Sequence, residues 1–202
     1  MIRRHILACA TVAIAVFALA CNGGGDDSTV GTPVPETPEA IPTYSGPTTG
    51  IAAIDEVAAP AVTGDVIRLA AITGYSQVAC AKEPAGDSPP PACRVNESEG
   101  TEVEVLPSLE CSRDWVRPEQ TPDIYREALE GEPRTLKFAY APTPGVRGIE
   151  SEFVVIIATS ATDVAGFFVR DGRIVAVEQP CDGDAVPMTA PERIALQIFP
   201  AP

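Results

Sequence analysis

The stretch GFFVRDGRIVAVEQP at residues 166–180 decides the fold class. Apolar residues run on both sides of Asp171-Gly172, and a DG pair between two such runs is the strongest short-range signal of a β-hairpin. Just before it, EFVVIIATS at 152–160 is almost entirely apolar, which favours a central strand. These neighbouring strands predict a sheet in the second half of the chain.

Further strands are predicted on both sides of this hairpin. TEVEVLP (101–107) and RTLKFAYAP (134–142) alternate between apolar and polar residues, as half-buried strands do. SQVAC (76–80) predicts a strand that leads into a cysteine loop, and RIALQIF (193–199) predicts a last strand. Most strands therefore follow one another along the chain, which favours an antiparallel sheet.

Helices are predicted mainly before the strands. Residues 51–62 place apolar side chains on one helical face, although Pro60 should kink or end this helix. A second helix is predicted over 65–72, and a short third one starts at Thr121-Pro122 and ends before Gly131. We therefore expect residues 50–202 to form a single α+β domain with N-terminal helices packed on one face of a curved antiparallel sheet.

The first 21 residues predict export and lipid anchoring. Two arginines precede an uncharged run at residues 6–20, which is too short to span comfortably because a transmembrane helix needs about 20 apolar residues. Such a run is typical of a secretory signal. Ala18-Leu19-Ala20 before Cys21 resembles a bacterial lipobox, with alanine at the usual leucine position, which implies a signal peptide over 1–20 and an acylated Cys21. An ordinary signal peptide cut near Ala20 and an uncleaved anchor are the alternatives.

Residues 21–49 predict a lipidated, disordered tether. Glycine, proline, threonine and acidic residues dominate this segment, and it shows no apolar periodicity. Such a composition cannot bury enough surface to offset the entropy of ordering. We expect the tether to hold the domain away from the membrane.

The mature chain is strongly acidic and contains no histidine. The full sequence has a net charge of −14, and loss of the two signal-peptide arginines brings it to −16. This charge argues against nucleic acid and anionic lipid surfaces as partners. The single histidine, His5, leaves with the signal, which excludes histidine-based triads, dyads and zinc sites.

Four cysteines follow Cys21, namely Cys80, Cys93, Cys111 and Cys181. An even number in an exported chain predicts two disulfides, and four cysteines allow three pairings. We favour Cys80–Cys93, which closes a local loop, and hence Cys111–Cys181 as a long-range link. A metal site is the alternative, but neither a CxxC pair nor a histidine supports it.

Two passages resemble the nuclear-transport-factor-two-like superfamily, whose ketosteroid-isomerase-like members share a cone-shaped, cystatin-like fold. IDEVAAPAVTGDVIRLAAI at 54–72 resembles the paired opening helices of these domains. FFVRDGRIVAVEQ at 167–179 resembles their penultimate strand pair. The disulfides, the proline-rich loop and the order of the middle elements depart from the family pattern.

The resemblance implies a conical pocket between sheet and helices. Members of the superfamily use such a pocket for small apolar molecules, for catalysis or for protein contact. Isomerase chemistry needs a carboxylate base and a tyrosine or protonated acid as donor. The candidate donors are Tyr75, Tyr125 and Tyr140, and the candidate bases are Asp114 and Glu152. No motif places any of them in a pocket, so no catalytic residue is assigned.

The sequence therefore predicts a cell-envelope lipoprotein, held in the bilayer on the extracytoplasmic face by acylated Cys21. Its domain is expected to be a binding or interaction module for a small apolar ligand or an envelope protein, without a cofactor, a metal or a nucleic-acid partner. Two alternatives remain: an isomerase-like enzyme that works through carboxylate and tyrosine, and a structural envelope lipoprotein without a ligand.

Overall fold

The computed structural model describes residues 44–86, 88–109, 113–160, 163–179, 188 and 190–200, all within the compact unit Ile41–Pro202. The predicted signal peptide, Cys21 and most of the predicted tether lie outside the described residues. The helices are α1 (Ala52–Thr63), α2 (Val66–Ala71) and α3 (Thr121–Ala128). The strands are β1 (Ser76–Ala79), β2 (Glu102–Leu109), β3 (Arg113–Val116), β4 (Thr135–Pro142), β5 (Phe153–Ala158), β6 (Val164–Arg170), β7 (Arg173–Glu178) and β8 (Ile194–Phe199).

The strands form one mixed sheet, so the α+β class is confirmed. Their order is β1-β2-β7-β6-β5-β4-β8, and β3 pairs with β2 outside this path. The prediction of a purely antiparallel sheet is wrong, because β7 runs parallel to β2 while the other pairs are antiparallel. After β2 the chain forms β4, β5 and β6, and β7 then pairs with β2 in the same direction.

The described residues contain one disulfide, Cys80–Cys93, rather than the predicted two. Cys111 and Cys181 lie outside the described part of the chain. At the end of β2 and β7, the Gln179 N–H donates to the Leu109 carbonyl oxygen at 3.0 Å. Cys111 comes two residues after Leu109, and Cys181 comes two residues after Gln179. The Cys111–Cys181 link stays a prediction.

The hairpin and the helices follow their predicted positions with one exception. Asp171 and Gly172 have φ of 51° and 69°, the left-handed conformation that a type I′ turn needs at both central positions. Pro60 was expected to kink or end α1, but the helix continues to Thr63. The turn after Pro60 is closed by the Thr63 hydroxyl, which donates to the Ala59 and Pro60 carbonyl oxygens at 3.0 and 3.2 Å.

Apolar side chains cover both faces of the sheet. On one face the three helices pack against a cluster that includes Phe167 and Ile157. On the opposite face a second cluster includes Tyr140 and Phe168, and it is covered by the β4–β5 loop and by residues just before β8. The sheet is thus a central layer between helices and irregular chain, which explains why β5 and β6 are almost entirely apolar.

The chain that leads into α1 packs beside β4. Asp55 accepts hydrogen bonds from the Thr49 N–H, the Thr49 hydroxyl and the Gly50 N–H at 2.8, 2.9 and 3.1 Å. Tyr44 lines a cavity of about 230 Å³ together with Leu136 at the start of β4. The chain therefore arrives next to the β4 side of the sheet.

Candidate functional site

The expected pocket between helices and sheet is occupied by the protein itself. Leu69 from α2, Tyr125 from α3 and Phe167 from β6 are all fully buried there. The rings of Tyr125 and Phe167 meet edge to face, with centroids 5.8 Å apart and an interplanar angle of 60°. Aromatic side chains therefore fill the space in which a ligand of a cone-shaped domain would lie.

The hydroxyl groups in this interior are paired with one another. The Thr73 hydroxyl donates to the Leu69 carbonyl oxygen at 2.9 Å, so the Tyr125 hydroxyl, 2.7 Å away, donates to Thr73. Tyr75 donates to the Thr121 hydroxyl at 3.0 Å. Burial raises the pKa of Tyr125, which keeps its phenol protonated. Paired, protonated hydroxyls are typical of a structural network.

The structure does not bring the candidate donors and bases together as a catalytic pair. Tyr75 and Tyr125 are bound to threonines on the helical face. Asp114 is exposed on β3. Glu152 is exposed before β5 and accepts one hydrogen bond, from the Asp171 N–H at 3.3 Å. Among the described residues, no hydrogen bond joins any of these tyrosines to either carboxylate.

Sequence reasoning missed a charged cluster on the face opposite the helices. The Glu178 side chain is 2% exposed at the end of β7. Arg193 binds both of its carboxylate oxygens, at 3.3 and 2.5 Å, and Arg147 binds one of them at 2.9 Å. Burial is the largest single influence and disfavours the charged form of Arg193, but the hydrogen bonds and charge of Glu178, together with Tyr140, outweigh it and raise the pKa of this arginine above its usual value.

This cluster fastens chain segments and is not arranged for acid–base chemistry. Both Glu178 oxygens accept hydrogen bonds from guanidinium groups and the side chain is 2% exposed, so the carboxylate is shielded from a substrate. The neighbouring Tyr140 hydroxyl donates to the Met188 carbonyl oxygen at 2.8 Å, and burial raises its pKa to about 12. The contacts join β4, β7, the β4–β5 loop and the start of β8.

The predicted Cys80–Cys93 disulfide cross-links the loop that joins β1 to β2, at one end of the sheet. Its two Cα atoms are 5.0 Å apart. Trp115 of β3 packs against the small apolar cluster that contains Cys80, and it donates from Nε1 to the Pro89 carbonyl oxygen at 2.6 Å. The one tryptophan of the chain therefore fixes the proline-rich loop onto the sheet.

Arg117 binds the segment after Cys93 and so holds it against the same cross-linked loop. Its guanidinium donates to both carboxylate oxygens of Glu97 at 3.0 and 2.8 Å, and to the Ala92 carbonyl oxygen at 3.2 Å. These bonds to Arg117, with the one from the Arg94 N–H, hold the pKa of Glu97 below its usual range. Arg94 in turn forms an ion pair with Glu119.

Within this segment, Arg94–Glu97 form a closed turn. The Glu97 N–H donates to the Arg94 carbonyl oxygen at 3.0 Å, and the Arg94 N–H donates back to the Glu97 carboxylate at 2.8 Å. Val95 and Asn96 form the apex, and Val95 is fully exposed. We call this segment the Val95 turn. The turn exposes an apolar side chain, and the disulfide and the Arg117–Glu97 pair hold it in place.

The described part of the chain offers few other features of a site. None of its helices is long and apolar enough to cross a membrane. Within the same ranges there is no group of three or more histidine, cysteine, aspartate or glutamate side chains placed to hold a metal ion. No protein-family model, curated protein or solved structure matches this chain.

Proposed function

We propose that this chain is an exported lipoprotein, anchored through acylated Cys21, whose domain binds a protein partner on the extracytoplasmic face. One observation carries the choice of a protein over a small apolar ligand: fully buried side chains such as Phe167 and Tyr125 fill the space between helices and sheet. A ligand would have to displace them, at a cost of about 1.5–3 kcal/mol for each large apolar side chain exposed.

The order of elements supports a nuclear-transport-factor-two-like, cone-like relationship. Two N-terminal helices precede a pair of adjacent strands, and a further helix precedes the antiparallel strands β4 to β7. Protein contact is one of the uses that the superfamily makes of this architecture. A filled interior favours that use over catalysis or small-molecule binding.

Native mass spectrometry of the purified chain tests the choice of partner class. We expect the mass of the acylated protein alone, because fully buried side chains such as Phe167 and Tyr125 occupy the described space between helices and sheet. A small apolar molecule bound at a one-to-one ratio, and lost on unfolding, would contradict the proposal. The filled-interior argument would fall with it.

Substitution Cys21→Ser tests the anchor. We expect it to abolish incorporation of labelled palmitate and to move the protein from the membrane fraction to the soluble one, because stable attachment generally needs more than one acyl chain. Cys9→Ser, within the signal sequence, is the matched control and should leave both properties unchanged. Continued membrane attachment of the Cys21→Ser protein would show that lipidation does not hold it.

A further inference from the structure

The Val95 turn combines an exposed aliphatic side chain with a position that does not favour one. The Glu97 N–H bond to the Arg94 carbonyl oxygen makes Val95 the second residue of a β-turn. Turn positions favour glycine, proline, asparagine, aspartate and serine, whereas β-branched residues fit strands better. Val95 neither supports the local backbone nor buries its own surface in the free protein. A local choice that contradicts its environment in this way is expected at functional positions.

A single exposed apolar residue is common on protein surfaces, so the support of the turn matters more than its exposure. The Cys80–Cys93 disulfide lies two residues before Val95, and the Arg117–Glu97 pair lies two residues after it. The Arg117 and Glu97 side chains are only 12% and 19% exposed, so this pair is well shielded for a surface loop. A segment held in one conformation loses little entropy on binding, which favours affinity.

The charge around the turn indicates the kind of partner. Arg94 and Arg117 are each paired with a glutamate, so they do not offset the exposed carboxylates of Glu99 and Glu102 that follow along the chain. The exposed Val95 side chain therefore belongs to an acidic segment of an acidic chain. Such a surface repels anionic membranes and nucleic acids and attracts a basic protein surface.

We propose that the Val95 turn is the recognition surface of this protein, and that Val95 inserts into an apolar pocket with a basic rim on a partner protein. The inference rests on the proposed protein-binding function and adds the surface and the chemistry of its partner. Ile67 of α2 and Leu196 of β8 are also exposed, at 68% and 63%, but they lie on regular elements without such a support.

Photo-crosslinking in the native cell supplies the partner. Benzoylphenylalanine is placed at Asn96, beside the intact Val95, in the full chain, and at Arg68 of α2 in a control chain. We expect a covalent product with one protein from position 96, none from position 68, and loss of the product when Val95→Asp is added. No protein product from position 96, or a product with lipid alone, would overturn the inference.

Affinity measurements with the captured protein then test the pocket. We expect Val95→Asp to raise the dissociation constant by about thirtyfold or more, as removal of a binding hot spot does. Ile67→Asp, an equally apolar-to-charged change at an exposed position, should stay within twofold, and the affinity should fall as salt is added. Both variants are expected to keep the wild-type melting temperature, because neither side chain is buried.

The outcomes separate this inference from the proposed function. Tight binding of the captured protein with a Val95→Asp effect below twofold would overturn the Val95 surface and leave protein binding intact. A stoichiometric small molecule found by mass spectrometry would instead overturn protein binding as the proposed function.

Discussion

Glu178→Gln is expected to lower the free energy of unfolding by about 3–5 kcal/mol, the usual result of removing one partner of a buried ion pair. Glutamine keeps the size of the side chain, so the effect comes from charge. Arg147 is 44% exposed and can return to water, but the Arg193 side chain is 8% exposed and cannot. The substitution therefore leaves one guanidinium buried without a counter-charge.

Urea unfolding of matched variants measures this effect. Glu152→Gln removes an exposed carboxylate with one weak bond of 3.3 Å and should change the unfolding free energy by no more than about 0.5 kcal/mol. Adding Arg193→Met to Glu178→Gln should recover part of the loss, because no unpaired charge then remains at position 193. A loss below about 1 kcal/mol for Glu178→Gln alone would mean that the cluster is solvated.

Phe167→Ala is expected to destabilise the domain by about 3–5 kcal/mol, since it removes a fully buried aromatic ring from between the helices and the sheet. The ring also contributes its edge-to-face contact with Tyr125. Phe153→Ala, at a half-buried position on the same side, is the control and should cost clearly less.

The same variant tests whether the interior is filled. An apolar cavity made by truncation stays dry and can bind benzene. We therefore expect benzene to raise the melting temperature of Phe167→Ala and to leave the wild type unchanged. Stabilisation of the wild type by benzene would indicate that a cavity already exists between the helices and the sheet.

Much of the fold could be predicted because its strands carry local signals. The Asp171-Gly172 turn and the alternation over 101–107 and 134–142 specify hairpins and half-buried strands within a few residues of sequence. The parallel pairing of β2 with β7 could not be predicted, because it joins segments separated by five other elements, namely β3, α3, β4, β5 and β6. Strand β3 was missed because Arg113-Asp114-Trp115 has no apolar alternation.

The site was less accessible to sequence reasoning. The short spacing of Cys80 and Cys93 favoured this disulfide among three possible pairings, and the disulfide is present. A glutamate near the end of a strand, such as Glu178, is normally solvent-facing, and nothing local indicates that irregular chain covers the second face of the sheet. The support of the Val95 turn is equally non-local, because Arg117, which binds Glu97, lies 20 residues beyond that glutamate.

The strand order also separates the Val95 turn from the place where the chain enters the domain. Tyr44 lies beside β4, whereas the turn is carried by the β1–β2 end, and β2 and β4 are separated by β7, β6 and β5. Four spacings of about 4.8 Å place these strands roughly 19 Å apart. The strands that carry Val95 are therefore about four strands away from the place where the chain enters the domain beside β4. A protein that contacts Val95 would meet the domain on the side away from this entry.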